Sequence, residues 1–192
     1  MARSRGDPRG LTTVAENIKG AVVLSYLEIV EKQLGKDGSQ VILAKLSTHM
    51  QGVLAGLHAA AWVPEDLLAD VIGAIAEKYG AERVRAIGHD QQVAMTKRTH
   101  AFFGRLAGPQ NLVRIAARVW SQFRDAGDAT AEMMGDKGAR LLVRHHRTLR
   151  RPGCAESFLG SCTAALEVTK AKNVRGTHRM TDEAVIFEFS WD

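Results

Sequence analysis

The feature that most constrains the fold is a change in apolar spacing near residue 127 of the 192-residue chain. Before it, apolar residues recur with the period of a helix; after it, they alternate as in strands. Residues 17–34, NIKGAVVLSYLEIVEKQL, put Ile18, Val22, Tyr26, Ile29 and Val30 on one stripe, and Gly35 is read as the stop. Residues 39–57 repeat the pattern with Ile42, Leu46, Met50, Val53, Leu54 and Leu57. Residues 64–79 open on Pro64, Glu65 and Asp66, a first turn whose carboxylates suit the positive end of the helix dipole. Their stripe is Leu67, Leu68, Val71, Ile72, Ile75 and Tyr79, and Gly80 is expected to end it. A short helix over Glu82–Ile87 and a longer one over His89–Leu106 follow, closed by Gly108 and Pro109. Residues 110–124 form the last helix of the block, with Leu112, Ile115, Ala116, Val119 and Phe123 inward.

Around AEMMGDKGARLLVRHHR the spacing suits two strands, with GDKG as the hairpin turn. Residues 154–169 return to helix, turning Phe158, Leu159, Cys162, Leu166 and Thr169 inward. The closing strand AVIFEFSW puts Val185, Phe187, Phe189 and Trp191 on one face and Glu188 and Ser190 on the other, after a turn at MTDE. A multi-helix block followed by β-β-α-β-β predicts an α+β fold, an antiparallel sheet with a helix on one face. The expected organisation is a flexible basic N-terminus over 1–10 and a single domain over 11–192. That domain divides into a helical subdomain, 11–127, and an α+β subdomain, 128–192. The closing strand, read as a sheet edge with an apolar face, predicts self-pairing into a homodimer.

No apolar run approaches the roughly 18 residues that would span a bilayer. The opening MARSRGDPRG is basic with no apolar stretch behind it, so a cytoplasmic protein without membrane contact is expected. Cys154 and Cys162 lie about 12 Å apart along a helix, beyond disulfide reach. No CxxC pair or Cys/His set completes a zinc site, so no metal is expected.

The charge is unevenly placed. Between Asp136 and Arg179 stand ten Lys and Arg against three acids, while the whole chain carries +5. The stretch GARLLVRHHRTLRRPG concentrates it, and Arg144, His145, Arg147, Arg150 and Arg151 are the expected binding residues. Planar guanidinium groups suit carboxylate or phosphate, which points to an acidic protein partner or a small anionic ligand. Nucleic acid is disfavoured, because neither interleaved aromatics nor a binding motif is present.

The opening IKGAVVLSYLEIVEKQLG, the central AIAEKYGAERVRAIG and FLGSCTAALEV before a final hairpin together resemble the haem–nitric-oxide-binding family and its 4-vinyl-reductase-like relatives. The chain resembles more closely a paralogous family of myxobacterial proteins on the same plan, through Lys19-Gly20, AGPQNLVRIAARVW and FEFSW. The resemblance covers nearly the whole chain. It implies a haem held by a proximal histidine on the last helix of the block and by a Tyr-x-Ser-x-Arg clamp on the second strand. Here the resemblance sets Phe123 at or near the histidine position, Val143 and His145 replace the tyrosine and serine, and Arg147 alone matches. The resemblance therefore implies a fold that has lost its haem ligand, with no cofactor; His100, beside Phe102 and Phe103, is the fallback ligand. The metal-binding cysteines of the reductase-like relatives lack counterparts beyond Cys154 and Cys162, His178 being the one companion.

His49, His58, His89 and His100 have no Ser, Cys or Asp partner at catalytic spacing, and no phosphate-cradling glycine loop occurs. No catalytic residue is expected. The sequence predicts a non-enzymatic regulatory or sensory module for a partner protein or a small anionic or apolar ligand. A tetrapyrrole-binding gas sensor or reductase-like protein is the first alternative, a nucleic-acid-binding accessory protein the second.

Overall fold

The computed structural model describes residues 15–98 and 108–192. The expected flexible segment 1–10, the helix end through Leu106 and His100 lie outside the described residues. Strand β1 (Asn17–Lys19) leads into α1 (Gly20–Leu43) and α2 (Thr48–Ala55), and β2 (Trp62–Pro64) returns antiparallel to β1. Helices α3 (Glu65–Arg98) and α4 (Pro109–Phe123) complete the block. Then come β3 (Asp128–Met133), β4 (Gly138–Arg144), a 3₁₀ turn at Thr148–Arg150, α5 (Cys154–Val168), β5 (Arg175–Met180) and β6 (Ala184–Ser190). The architecture is α+β, and the sheet is antiparallel in the order β3-β4-β6-β5.

Gly35 and Gly80 bend helices instead of ending them. Their φ values of 73° and 82° break the helical path for one residue, and the chain then resumes as helix. The second predicted helix consequently begins only at Thr48, where the Ser47 side chain accepts a hydrogen bond from the Met50 N–H at 3.3 Å. Tyr79, placed inward by periodicity, stands just before the second kink and is exposed. The β1–β2 pair was not expected, because three-residue strands leave no alternation to read.

The closing strand corrects another expectation. β6 is interior: β4 pairs with one side and β5 with the other. The edges are β3 and β5, whose Asp128, Glu132, Arg175 and Arg179 charge them. The argument for self-pairing through Phe187, Phe189 and Trp191 therefore falls; those side chains are buried with Val185 against α5.

Two clusters form the interior. Ile18, Tyr26, Val30, Leu67, Ile75 and Ile87 centre the helical one. Leu141, Val143, Leu159, Phe187 and Trp191 centre the other, beneath the sheet. The seam between them is the contact of α3 with α5, made close by glycine. A Cβ on Gly88 would lie 2.1 Å from the Ser157 carbonyl oxygen, and one on Gly160 would lie 2.1 Å from that of Arg85. Among the described residues no helix is long and apolar enough to cross a membrane.

Candidate functional site

Between the two clusters lies a cavity of about 170 Å³. Helix α4 supplies Ala116, Trp120 and Phe123 to its wall, the sheet supplies Leu141 and Phe189, and α5 supplies Cys162. Of the α4 stripe read from the sequence, Leu112, Ala116, Val119 and Phe123 line the cavity; Ile115 does not, and Val113 and Trp120 join them. Its indole N–H donates to the carbonyls of Ala126 and Gly127 at 2.9 and 3.1 Å, which fixes the ring at the turn into β3. An edge-on series runs from Trp120 to Phe158 (centroids 5.5 Å apart) and on to Phe187 (5.1 Å). Burial pushes the Cys162 thiol up to about 12, against the opposing charge of Arg124, so the thiol stays protonated.

Arg124 ties this wall to a buried polar cluster. Its guanidinium lies over the rings of Trp120, at 4.6 Å, and Phe158, at 5.2 Å, and its Nε–H donates to Glu65 Oε1 at 3.0 Å. Glu65 Oε2 meets His146 Nε2 at 3.0 Å. The Leu149 N–H donates to His146 Nδ1 at 3.2 Å, which makes Nδ1 the acceptor and leaves the ring proton on Nε2, facing Glu65. Glu16 closes the cluster from β1's side. It accepts from the backbone N–H groups of Arg147 (2.5 Å) and Thr148 (2.8 Å) and from the Thr148 hydroxyl. Burial pushes the Glu65 carboxyl up, but Arg124 and His146 outweigh it and hold Glu65 below its ordinary 4.5.

Glu16, Glu65 and His146 each bring one ligand atom within 4.8 Å of the others, a donor set compatible with a divalent cation. The fold gathers what the sequence scatters over 130 positions. Arg124 already supplies the positive charge, and all three side chains are engaged in hydrogen bonds. The cluster is built as an internal lock.

The basic run lies at the surface, but most of its side chains are paired within the chain. Arg147 and Arg151 converge on Asp66 at 2.9 and 3.0 Å, and Arg151 also reaches Asp70 at 2.6 Å, all on the opening turns of α3. Arg150 donates to the carbonyls of Thr181 and Asp182, bracing the β5–β6 turn. His145 is exposed and meets Asp128 at 2.9 Å. Arg144, opposite Asp128 and Ala184 in the sheet register, has no side-chain partner among the described residues. Asp66 and Asp70 therefore neutralise part of the charge of the run. Of these acids, Asp66 is legible in the sequence only as part of a helix start, and Asp70 carries no such signal.

The resemblance implies haem, and the described wall does not fit it. Phe123, which the resemblance sets at or near the ligand position, lines the cavity, and no described histidine does. The available sulfurs are the Met95 thioether, which accepts from Gln91 Nε2, and the protonated Cys162. Val143 is buried beneath the sheet, and neither it, His145 nor Arg147 reaches the wall. The volume is also below the range of about 300–1,000 Å³ usual for cofactor pockets.

No protein-family model matches the sequence, and no curated protein is similar to it. Solved structures are similar. The Fe(II) unliganded H-NOX protein from K. algicida has a TM-score of 0.69 at 9% identity, over 91% of this chain and 97% of that one. A single-substitution variant of it has a TM-score of 0.71 at 10% identity, with the same coverage. An H-NOX protein from S. oneidensis in the Fe(II)NO ligation state has a TM-score of 0.70 at 12% identity, over 91% of this chain and 99% of that one. The chain has the haem–nitric-oxide-binding fold.

Proposed function

We propose that the chain is a non-enzymatic sensory module that takes a small ligand in the cavity between α4, α5 and the sheet. The observation that carries this reading is the cavity wall itself: apolar for most of its extent, about 170 Å³ in volume, with Phe123 at or near where an iron ligand would stand. A cavity of about 150 Å³ lined by apolar side chains is enough to hold benzene. The wall holds no nucleophile poised beside a base, since its thiol is kept protonated and no described histidine lines it. A pocket kept by the fold and relined in this way is reused for a different guest.

The second reading is a tetrapyrrole-binding gas sensor, and the comparisons favour it more directly, because the similar structures include Fe(II) and Fe(II)NO states. The donor set favours the first reading. Protein purified from haem-supplemented cells separates them by its visible spectrum. The expected result is no stoichiometric Soret band, together with a rise in melting temperature on adding toluene. A stoichiometric Soret band that is lost in His100→Ala overturns the first reading in favour of the second.

A further inference from the structure

The polar atoms of the cavity wall are unequally engaged. Gln91 Nε2 donates to Met95 and Gln92 Nε2 to Thr96. The Ser161 hydroxyl donates to backbone carbonyls of Gly88 and Ser157. Every guanidinium nitrogen of Arg140 reaches Glu188 or Glu132. Arg124 differs. It lines the cavity, its side chain is only 13% exposed, and its Nε–H is taken by Glu65. Among the described residues no acceptor reaches its Nη1 or Nη2. Its charge nonetheless lies close enough to Cys162, another wall residue, to oppose the rise of that thiol. Stacking on Trp120 and Phe158 fixes the plane of the group.

We infer that Arg124 selects the guest: a neutral molecule of about one six-membered ring that carries a single hydrogen-bond acceptor, such as a carbonyl oxygen, received by the terminal N–H groups of Arg124. This rests on the cavity being the ligand site. The volume sets the size, and the apolar wall sets the body of the molecule. The acceptor follows from terminal N–H donors that line the cavity and meet no acceptor among the described residues. Neutrality follows from Glu65, whose carboxylate already balances the guanidinium, so that a second carboxylate would be desolvated without a counter-charge.

The test compares cyclohexanone, methylcyclohexane and cyclohexanecarboxylate, titrated into the full chain and followed by amide chemical shifts. Cyclohexanone is expected to bind roughly tenfold more tightly than the hydrocarbon, and the carboxylate weakest. In Arg124→Met the ketone's advantage disappears while the hydrocarbon still binds. If that variant does not fold, Arg124→Lys keeps a charge for Glu65 but loses the planar fork and should also reduce the preference. Ala116→Leu fills the cavity and should abolish binding of both neutral guests. Equal binding of ketone and hydrocarbon, a preference untouched by either Arg124 variant, or tightest binding of the carboxylate overturns the inference and leaves the cavity reading standing. Failure of all three probes to bind overturns both.

Discussion

His146 and Glu65, 81 positions apart in sequence, meet at 3.0 Å with both side chains sealed from solvent, and this contact joins the loop after β4 to the first turn of α3. Replacing Glu65 by Leu strands two donors at once, the Nε2–H of His146 and the Nε–H of Arg124. The expected cost is about 3–5 kcal/mol, read from urea unfolding, because an uncompensated buried charge is left behind.

The same carboxyl sets an acid limit. Glu65 is held below its ordinary 4.5 in the folded state, so its contribution is complete above 4.5 and is lost as pH falls through the folded value. Unfolding free energy measured from pH 5 downward should decline, and Glu65→Gln should make that decline shallower. An identical slope in the two proteins would remove Glu65 from the account.

His89 acts in the opposite direction. Its two ring nitrogens face Glu167 at 2.8 Å and Asp90 at 3.3 Å, so both can donate only in the imidazolium form. Partial burial disfavours that charge, but the carboxylates prevail and hold His89 above its ordinary 6.5. Its stabilisation of the α3–α5 seam is complete below 6.5 and is lost as pH rises through the raised value. An NMR titration should place the His89 midpoint above 6.5, and Glu167→Gln should lower it.

Two helical glycines, Gly160 in α5 and Gly73 in α3, offer a matched pair. Gly160→Ala, across the seam from Arg85, forces two backbones apart and should cost about 1–3 kcal/mol. Gly73, also in a helix, has nothing within 4 Å of where a Cβ would stand. Gly73→Ala should therefore stabilise by about 0.5–1 kcal/mol through helix propensity alone. Thermal unfolding of the two single variants checks both signs.

Arg147→Ala with Arg150→Ala tests the proposed acidic-partner surface. The pair removes one partly exposed ion pair and the brace on the β5–β6 turn, a loss of about 1–2 kcal/mol. A pull-down of wild type and double variant at low and high salt reads partner binding separately. A docking role predicts that variant and salt each remove the same acidic partner, whereas identical partners in all four samples leave Arg147 and Arg150 with their internal contacts alone.

What the sequence made legible was periodicity. The stripes on α1, α3 and α4 and the alternation of β6 depend only on which face meets the interior, and they were read with few errors. The site was less legible because single residues decide it. Strict alternation along β4 would set His145 on the same face as Leu141 and Val143. In the structure His145 has a φ of 52°, and this left-handed step exposes His145 and turns His146 inward instead. No spacing rule anticipates such a step. Glu65 was read as a helix-dipole residue, a local role that does not foresee partners 59 and 81 positions away. Arg124 followed an apolar stripe and drew no notice, although a lone arginine at the end of a buried helix face is a signal for a partnered charge.

Glu16 bonds to Thr148 across 132 positions, a separation that has a consequence for how the protein is made. During synthesis the helical segments leave the ribosome with a carboxylate destined for burial and no donors to receive it. At elongation rates of about 5–20 residues per second, several seconds pass before the 147–148 loop emerges. Until then the Glu16 carboxylate lacks its donors, although β1 can already pair with β2, and closing so long a loop delays the last step of assembly. The Glu16 carboxylate is thus among the last groups to reach its partners, and a nascent chain stopped short of Thr148 presents it unlatched to chaperones and proteases alike.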